Sequence, residues 1–151
     1  MKAKFRIDSE GRTDVGRVRS LNEDSLLLRP EVGLWVVADG MGGHDAGDFA
    51  SQTVVAELGL IGPAASARAL LSAVEARVIA ANEMRYSTAT ERSSVIGCTL
   101  ASLMIYEDAF ACVWSGDSRV YRVRHGAIEQ ITRDHTEAQE LIDNGTLTPE
   151  E

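Results

Sequence analysis

Three carboxylate corners are the positions in this 151-residue chain best suited to do chemistry. In the first, the apolar run Leu34-Trp35-Val36-Val37-Ala38 delivers Asp39 into a glycine-rich turn, Gly40-Met41-Gly42-Gly43-His44. Such a run has strand length. The glycines let the backbone turn tightly or approach a ligand, and they bare carbonyl oxygens that a hard cation accepts as readily as carboxylates. An aspartate in that place either caps a following helix or holds a metal ion.

A second corner lies upstream, where Arg19 stands four residues before the adjacent pair Glu23-Asp24, which leads into Leu26-Leu27-Leu28. If the two apolar runs pair, Glu23 or Asp24 comes near Asp39, and like charges at that distance repel unless a cation or an arginine sits between them. The third corner is Ser115-Gly116-Asp117-Ser118-Arg119, again at the end of a strand-like run. Carboxylates at strand ends, an arginine able to grip phosphate in bidentate fashion and no zinc-type Cys/His spacing point to one chemistry. That chemistry is an oxygen-coordinated Mg²⁺ or Mn²⁺ centre acting on a phosphorylated substrate.

At these residues the chain resembles the metal-dependent protein phosphatases, the PPM or type 2C serine/threonine family, and specifically its bacterial members. The likeness runs through Gly16 with Arg19-x-x-Asn22-Glu23-Asp24, then Ala38-Asp39-Gly40-Met41-Gly42-Gly43-His44 with Gly47, Ala50 and Ser51. It continues through Gly97-Cys98-Thr99-Leu100, Gly116-Asp117-Ser118-Arg119 with Tyr121, and Thr132-x-Asp134-His135-Thr136. Cys98 stands where the family usually has a second threonine.

The resemblance implies a catalytic domain using two Mn²⁺ or Mg²⁺ ions, with a third, weaker site, to hydrolyse phosphoserine and phosphothreonine in proteins. It makes Asp39 the bridging ligand, Gly40 a carbonyl ligand, Glu23 and Asp24 holders of metal-bound water, Asp117 a ligand of the weaker site and Arg19 the phosphate grip. It implies phosphorylated protein substrates of a serine/threonine kinase as partners. It also implies two further metal-binding aspartates, in Ser-Asp-Gly and Gly-x-Asp-Asn segments that this sequence does not contain. Residues 1–151 are therefore expected to form a single, truncated phosphatase domain, with a non-catalytic phosphoprotein-binding or regulatory module as the alternative. The terminal Thr148-Pro149-Glu150-Glu151, a helix start without a body, suggests the same truncation.

Positioning these corners requires strands around Phe5 to Asp8, Ser25 to Leu28 and Leu34 to Asp39. A helix follows from about Asp45 to Leu58, with Ala46, Ala50, Val54 and Leu58 on one face. A second helix is expected over about Ser66 to Arg85, with Ala67, Leu70, Leu71, Val74, Val78 and Ala81 as its core stripe. The polar segment Tyr86 to Ser94 reads as a loop. Runs at Gly97 to Ile105, Ala109 to Ser115, Arg119 to Arg124 and Ala127 to Ile131 read as an antiparallel meander. Two helices and two groups of strands suit an α+β layered sandwich. The family fold, a layered α-β-β-α sandwich of antiparallel sheets flanked by helices, agrees, with the C-terminal part absent.

The formal charge of −8 argues against nucleic acid and anionic membrane as partners. Cys98 and Cys112 lie in apolar runs and are expected to be buried thiols rather than a disulfide, which suits a reducing cytoplasm. Met1 to Arg6 is basic but lacks an apolar signal core. Each of the three histidines could act as a general acid by its chemistry; His44 stands nearest Asp39 in sequence but in a glycine-rich turn that leaves its direction open, His125 reads as a solvated turn residue, and His135 reads as structural.

Overall fold

The computed structural model describes residues 6–42, 46–92, 95–146 and 148. Its elements are β1 (Asp24–Arg29), β2 (Leu34–Gly42), α1 (Ala46–Gly59), α2 (Ala67–Arg92), β3 (Ile96–Cys98), β4 (Leu100–Tyr106), β5 (Ala109–Ser115), β6 (Tyr121–Arg124), β7 (Ala127–Gln130) and α3 (Glu137–Asp143). Strands β1, β2, β4 and β5 lie side by side in that order, with β3 also paired to β2, and every pairing is antiparallel. Hairpin β6–β7 forms a separate two-stranded sheet, turning at His125-Gly126, where both residues have positive φ. This is the expected α+β arrangement of antiparallel sheets and helices.

Period-two alternation explains β2. Leu34, Val36, Ala38 and Gly40 face the helices and are buried, while Val37, Asp39 and Met41 point to the opposite, exposed face. Leu34 and Val36 join Leu58, Leu70, Val74, Leu100 and Met104 in the main core between sheet and helices. Of the expected helix stripes, Val54, Leu58, Leu70, Leu71, Val74 and Val78 pack in this core, Ala46 and Ala50 form a second cluster with Ile96, Ala81 is buried and Ala67 is exposed. Ser66 caps α2, its Oγ accepting from the Ala69 N–H at 3.1 Å. Arg77 of α2 pairs with Glu57 of α1 at 3.1 Å.

Several expectations change. Residues 6–8 form no strand, and Phe5 lies outside the described residues. The run from Gly97 to Ile105 is two strands interrupted at Thr99, and the expected strand from Arg119 begins only at Tyr121. The loop expected from Tyr86 is helical to Arg92. Within it Ser87 and Thr88 donate to the carbonyls of Glu83 and Met84, four residues back, at 3.1 Å each. Helix α3 was not anticipated, although Thr136 and Gln139 carry a capping-box spacing and Thr136 Oγ1 does accept from the Gln139 N–H. Cys98 and Cys112 are free thiols, as expected, but half-buried. Among the described residues, no helix is long and apolar enough to cross a membrane.

Leu34 is fully buried at the centre of the main core. Leu34→Ala is expected to cost about 3 kcal/mol through lost transfer energy and an unfilled cavity. Urea denaturation of the two proteins measures it.

Candidate metal centre

Strand pairing builds the site. In the β1–β2 register Asp24 lies directly opposite Asp39, so two of the three carboxylate corners become one. The backbone continues the match one step further, where the Gly40 N–H donates to the Glu23 carbonyl at 3.1 Å. Beyond it the start of α1 comes so close that a methyl group on Gly40 would strike the Gly47 carbonyl, and one on Gly47 would strike the Glu23 carboxylate. Gly40 therefore has to be glycine, and the Glu23 side chain is laid over the first turn of α1.

Asp117 arrives from the other side of β2. Thr99, at the break between β3 and β4, donates its N–H to the Asp39 carbonyl at 2.8 Å, and its Oγ1 accepts from the Asp39 N–H at 3.2 Å. The same Oγ1 meets Ser118 Oγ at 2.5 Å, beside Asp117. Gly116, at φ +94°, lets the loop pack against the Thr99 side chain.

The carboxylates interact as their placement implies. The Asp39 carboxyl is held above the usual carboxylate range, first by desolvation, then by the Asp24 charge and a hydrogen bond shared with Asp24, and then by the charges of Asp117 and Glu23. The neighbouring Cys98 thiol is pushed up to about 12 by burial and by Asp39. It is therefore a protonated bystander at neutral pH.

An open cleft of about 300 Å³ runs along this corner, lined among others by Arg12, Asp14, Asp24, Ser25, Asp39 and Ser118. Arg19 is exposed in the segment before β1 and is not part of that lining. Arg12 supplies the arginine there, a position sequence reasoning did not single out. Among the described residues, no group of three or more His, Cys, Asp or Glu side chains is arranged so that it could hold a metal ion by itself. Donor type and charge fit a hard divalent cation, because all the groups are oxygens and their mutual repulsion is relieved by positive charge. The coordination shell is open.

Of the histidines, His125 is exposed in the β6–β7 turn and His135 stacks on Trp114 with centroids 5.8 Å apart, both as expected. His44 and Gly43 lie outside the described residues. Sequence reasoning also missed the linking part of Thr99 and the bidentate pair Arg119–Asp134. Both belong to motifs quoted above to which no role was attached.

Comparison with known proteins gives a consistent result. The protein-family model Protein phosphatase 2C matches residues 12–141. The serine/threonine protein phosphatase PstP of Mycobacterium tuberculosis is 39% identical over 142 residues, covering 93% of this chain and 27% of that protein. The structure of PppA, a regulatory component of the T6SS in Pseudomonas aeruginosa, superposes with a TM-score of 0.84 at 48% identity, over 87% of this chain and 57% of that one. The PstP catalytic domain in complex with two manganese ions superposes with a TM-score of 0.81 at 38% identity, over 92% of this chain and 60% of that one. The chain thus spans well under two thirds of the relatives it matches.

Charge repulsion at Asp39 makes a measurable prediction for the metal-free protein. Asp39→Asn is expected to raise Tm at pH 7 by roughly 1–2 °C, a modest gain because the position is exposed. Because the folded-state pKa of Asp39 is raised, the wild-type protein is favoured at low pH and loses that advantage as pH rises through this pKa. The gain from asparagine should therefore shrink as pH falls through this pKa and vanish only below the ordinary carboxylate value of the unfolded chain, and thermal melts at pH 3 and pH 7 in the presence of chelator check both signs.

Proposed function

The chain belongs to the protein phosphatase 2C family, and from that membership we propose that it is part of a Mn²⁺- or Mg²⁺-dependent phosphatase acting on phosphoserine and phosphothreonine in proteins. The observation that carries the reading is the convergence of Asp24, Asp39, Glu23 and Asp117 on one corner, where each adds to the electrostatic strain on Asp39. We assign Asp39 the central ligand position, with the Gly40 carbonyl, Glu23, Asp24 and Asp117 around it, for two cations and a third, weaker one. Divalent cations bound there would supply Lewis acidity toward phosphoryl oxygens and a lowered pKa for bound water.

The chain's own residues do the rest of the work in this proposal. Glu23 and Asp24 accept hydrogen bonds from water and orient it toward phosphorus. Arg19, whose guanidinium has no partner among the described residues, is assigned the phosphate, where a bidentate contact offsets charge on the non-bridging oxygens. Residues 1–151 are read as the amino-terminal part of one catalytic domain, a reading supported by the 57–60% of the matched structures that the chain covers. The proposed setting is the cytoplasm, with protein substrates phosphorylated by a serine/threonine kinase.

The open coordination shell favours a second reading, a phosphoprotein-binding or regulatory module that binds phosphate without turnover. The two separate in one assay, hydrolysis of para-nitrophenyl phosphate with and without Mn²⁺, with Asp39→Asn beside the wild type. The expected outcome is at most weak metal-dependent turnover, since the two further aspartates of the family are missing from this sequence, lost in Asp39→Asn and lowered about a hundredfold by Arg19→Ala. Turnover without metal, or turnover that survives Asp39→Asn, contradicts the reading. Binding of a phosphothreonine peptide with no turnover supports the second one, and preference for a phosphotyrosine peptide contradicts the assigned substrate class.

A further inference from the structure

Asp117 sits on a stretch with no regular structure of its own, since β5 ends at Ser115 and β6 begins only at Tyr121. Its carboxylate acts on Asp39 as a like charge, which favours separation of the two. The segment 131–135, which follows β7, holds it in. The His135 N–H donates to the Gly116 carbonyl at 2.9 Å, and the Ile131 N–H donates to the Val120 carbonyl at 2.8 Å. The buried Thr132 accepts the Val120 N–H through Oγ1 at 3.0 Å. Trp114, just before the loop, donates from Nε1 to the Arg133 carbonyl at 2.6 Å and stacks on His135.

Among the described residues, the ionic link between the loop and this strap is a bidentate pair. Arg119 donates from Nε to Asp134 Oδ1 at 2.8 Å and from Nη2 to Oδ2 at 2.6 Å, while its Nη1 donates to the Tyr121 hydroxyl at 3.0 Å. Gln130 Nε2 donates to the Thr132 carbonyl at 2.9 Å, tying the strap to β7. A fork-to-carboxylate contact fixes both distance and plane, so it restricts the loop more than a point contact would.

We propose that Arg119 and Asp134 are positioning residues for Asp117, and that their pairing sets how strongly this carboxylate contributes to the weakest cation position at the Asp39 corner. Neither residue touches the reacting atoms. The inference rests on the metal-centre reading above.

The test compares Asp134→Asn, Arg119→Met and the double variant with the wild-type chain, using Mn²⁺ titration followed by electron paramagnetic resonance and amide hydrogen exchange. A control, Arg122→Met, removes the ion pair with Glu129 in the adjacent hairpin. Exchange across residues 116–120 should quicken about tenfold in each single variant and no further in the double, because the two side chains form one coupled interaction. The weakest Mn²⁺ site should need about three to ten times more metal to half-fill, the range expected when an outer-shell partner is lost. Exchange in β2 and β4 should not change, and the control should move neither readout. Arg119→Lys, which keeps the charge without the fork, should recover part of both losses. Unchanged exchange across 116–120 in Asp134→Asn overturns the proposal, as does a loosened loop with an unaltered Mn²⁺ titration. Failure of the wild-type chain itself to bind Mn²⁺ would instead overturn the metal-centre reading, and is seen before any variant is compared.

Discussion

Like charge gathered at one end of a sheet is the constraint on which the rest of this structure depends. Asp24 and Asp39 are opposed across β1 and β2, and Glu23 and Asp117 add to the same field. Carboxylates so placed separate if they are free to do so. Each is therefore fixed through its backbone rather than its side chain: Asp39 by two bonds to Thr99, Glu23 by its carbonyl bond to Gly40, and the Asp117 loop by the Gly116 and Val120 contacts. The oxygens remain available to a cation because the main chain carries the mechanical load.

The division of the core follows from the same constraint. Far from the site the packing uses Leu34, Leu58, Leu70, Val74 and Met104, large side chains that supply most of the burial energy. Under the site it changes to Ala46, Ala50 and Ile96, with Gly40 and Gly47 in backbone contact and Ser25 and Ser51 hydrogen-bonded at 3.0 Å. Small residues are needed there because α1 must come close enough to bring Gly47 against Glu23. Stability lost at that end is offset at the other, which lets the carboxylates remain unfavourably placed in the absence of metal.

Much of this was legible in the sequence, and the unread parts share a cause. Strand-end aspartates, the alternation of β2 and the aliphatic faces of α1 and α2 are local patterns, and they located the main core and the carboxylate corner. The partners of the Asp117 loop are not local. Arg119 meets Asp134 across 15 residues, and Thr99 meets Ser118 across 19, after chain reversals whose geometry no periodicity encodes. Motif resemblance marked those residues without giving them a task. Arg12 lay outside every quoted motif, and its position in the cleft follows only from how the segment before β1 lies across the sheet.

A segment expected to be a loop turns out to support the site. Tyr86 to Arg92 is polar, and polarity alone suggested a loop, yet helix α2 continues through it. That extension places Ala89 against Ala46, Ala50 and Ile96. One turn earlier, Arg85 donates to the Ile96 carbonyl and, at 2.5 Å, to Asn82 Oδ1. Ile96 opens β3, and β3 pairs with Gly40, Met41 and Gly42 of β2 immediately after Asp39. A helix ending at Arg85 would leave β3 without Ala89 against it, and the glycine-rich end of β2 would lose the backing of its neighbour. The polar segment is thus helical where its half-buried Ala89 backs the strand that pairs beside the central carboxylate.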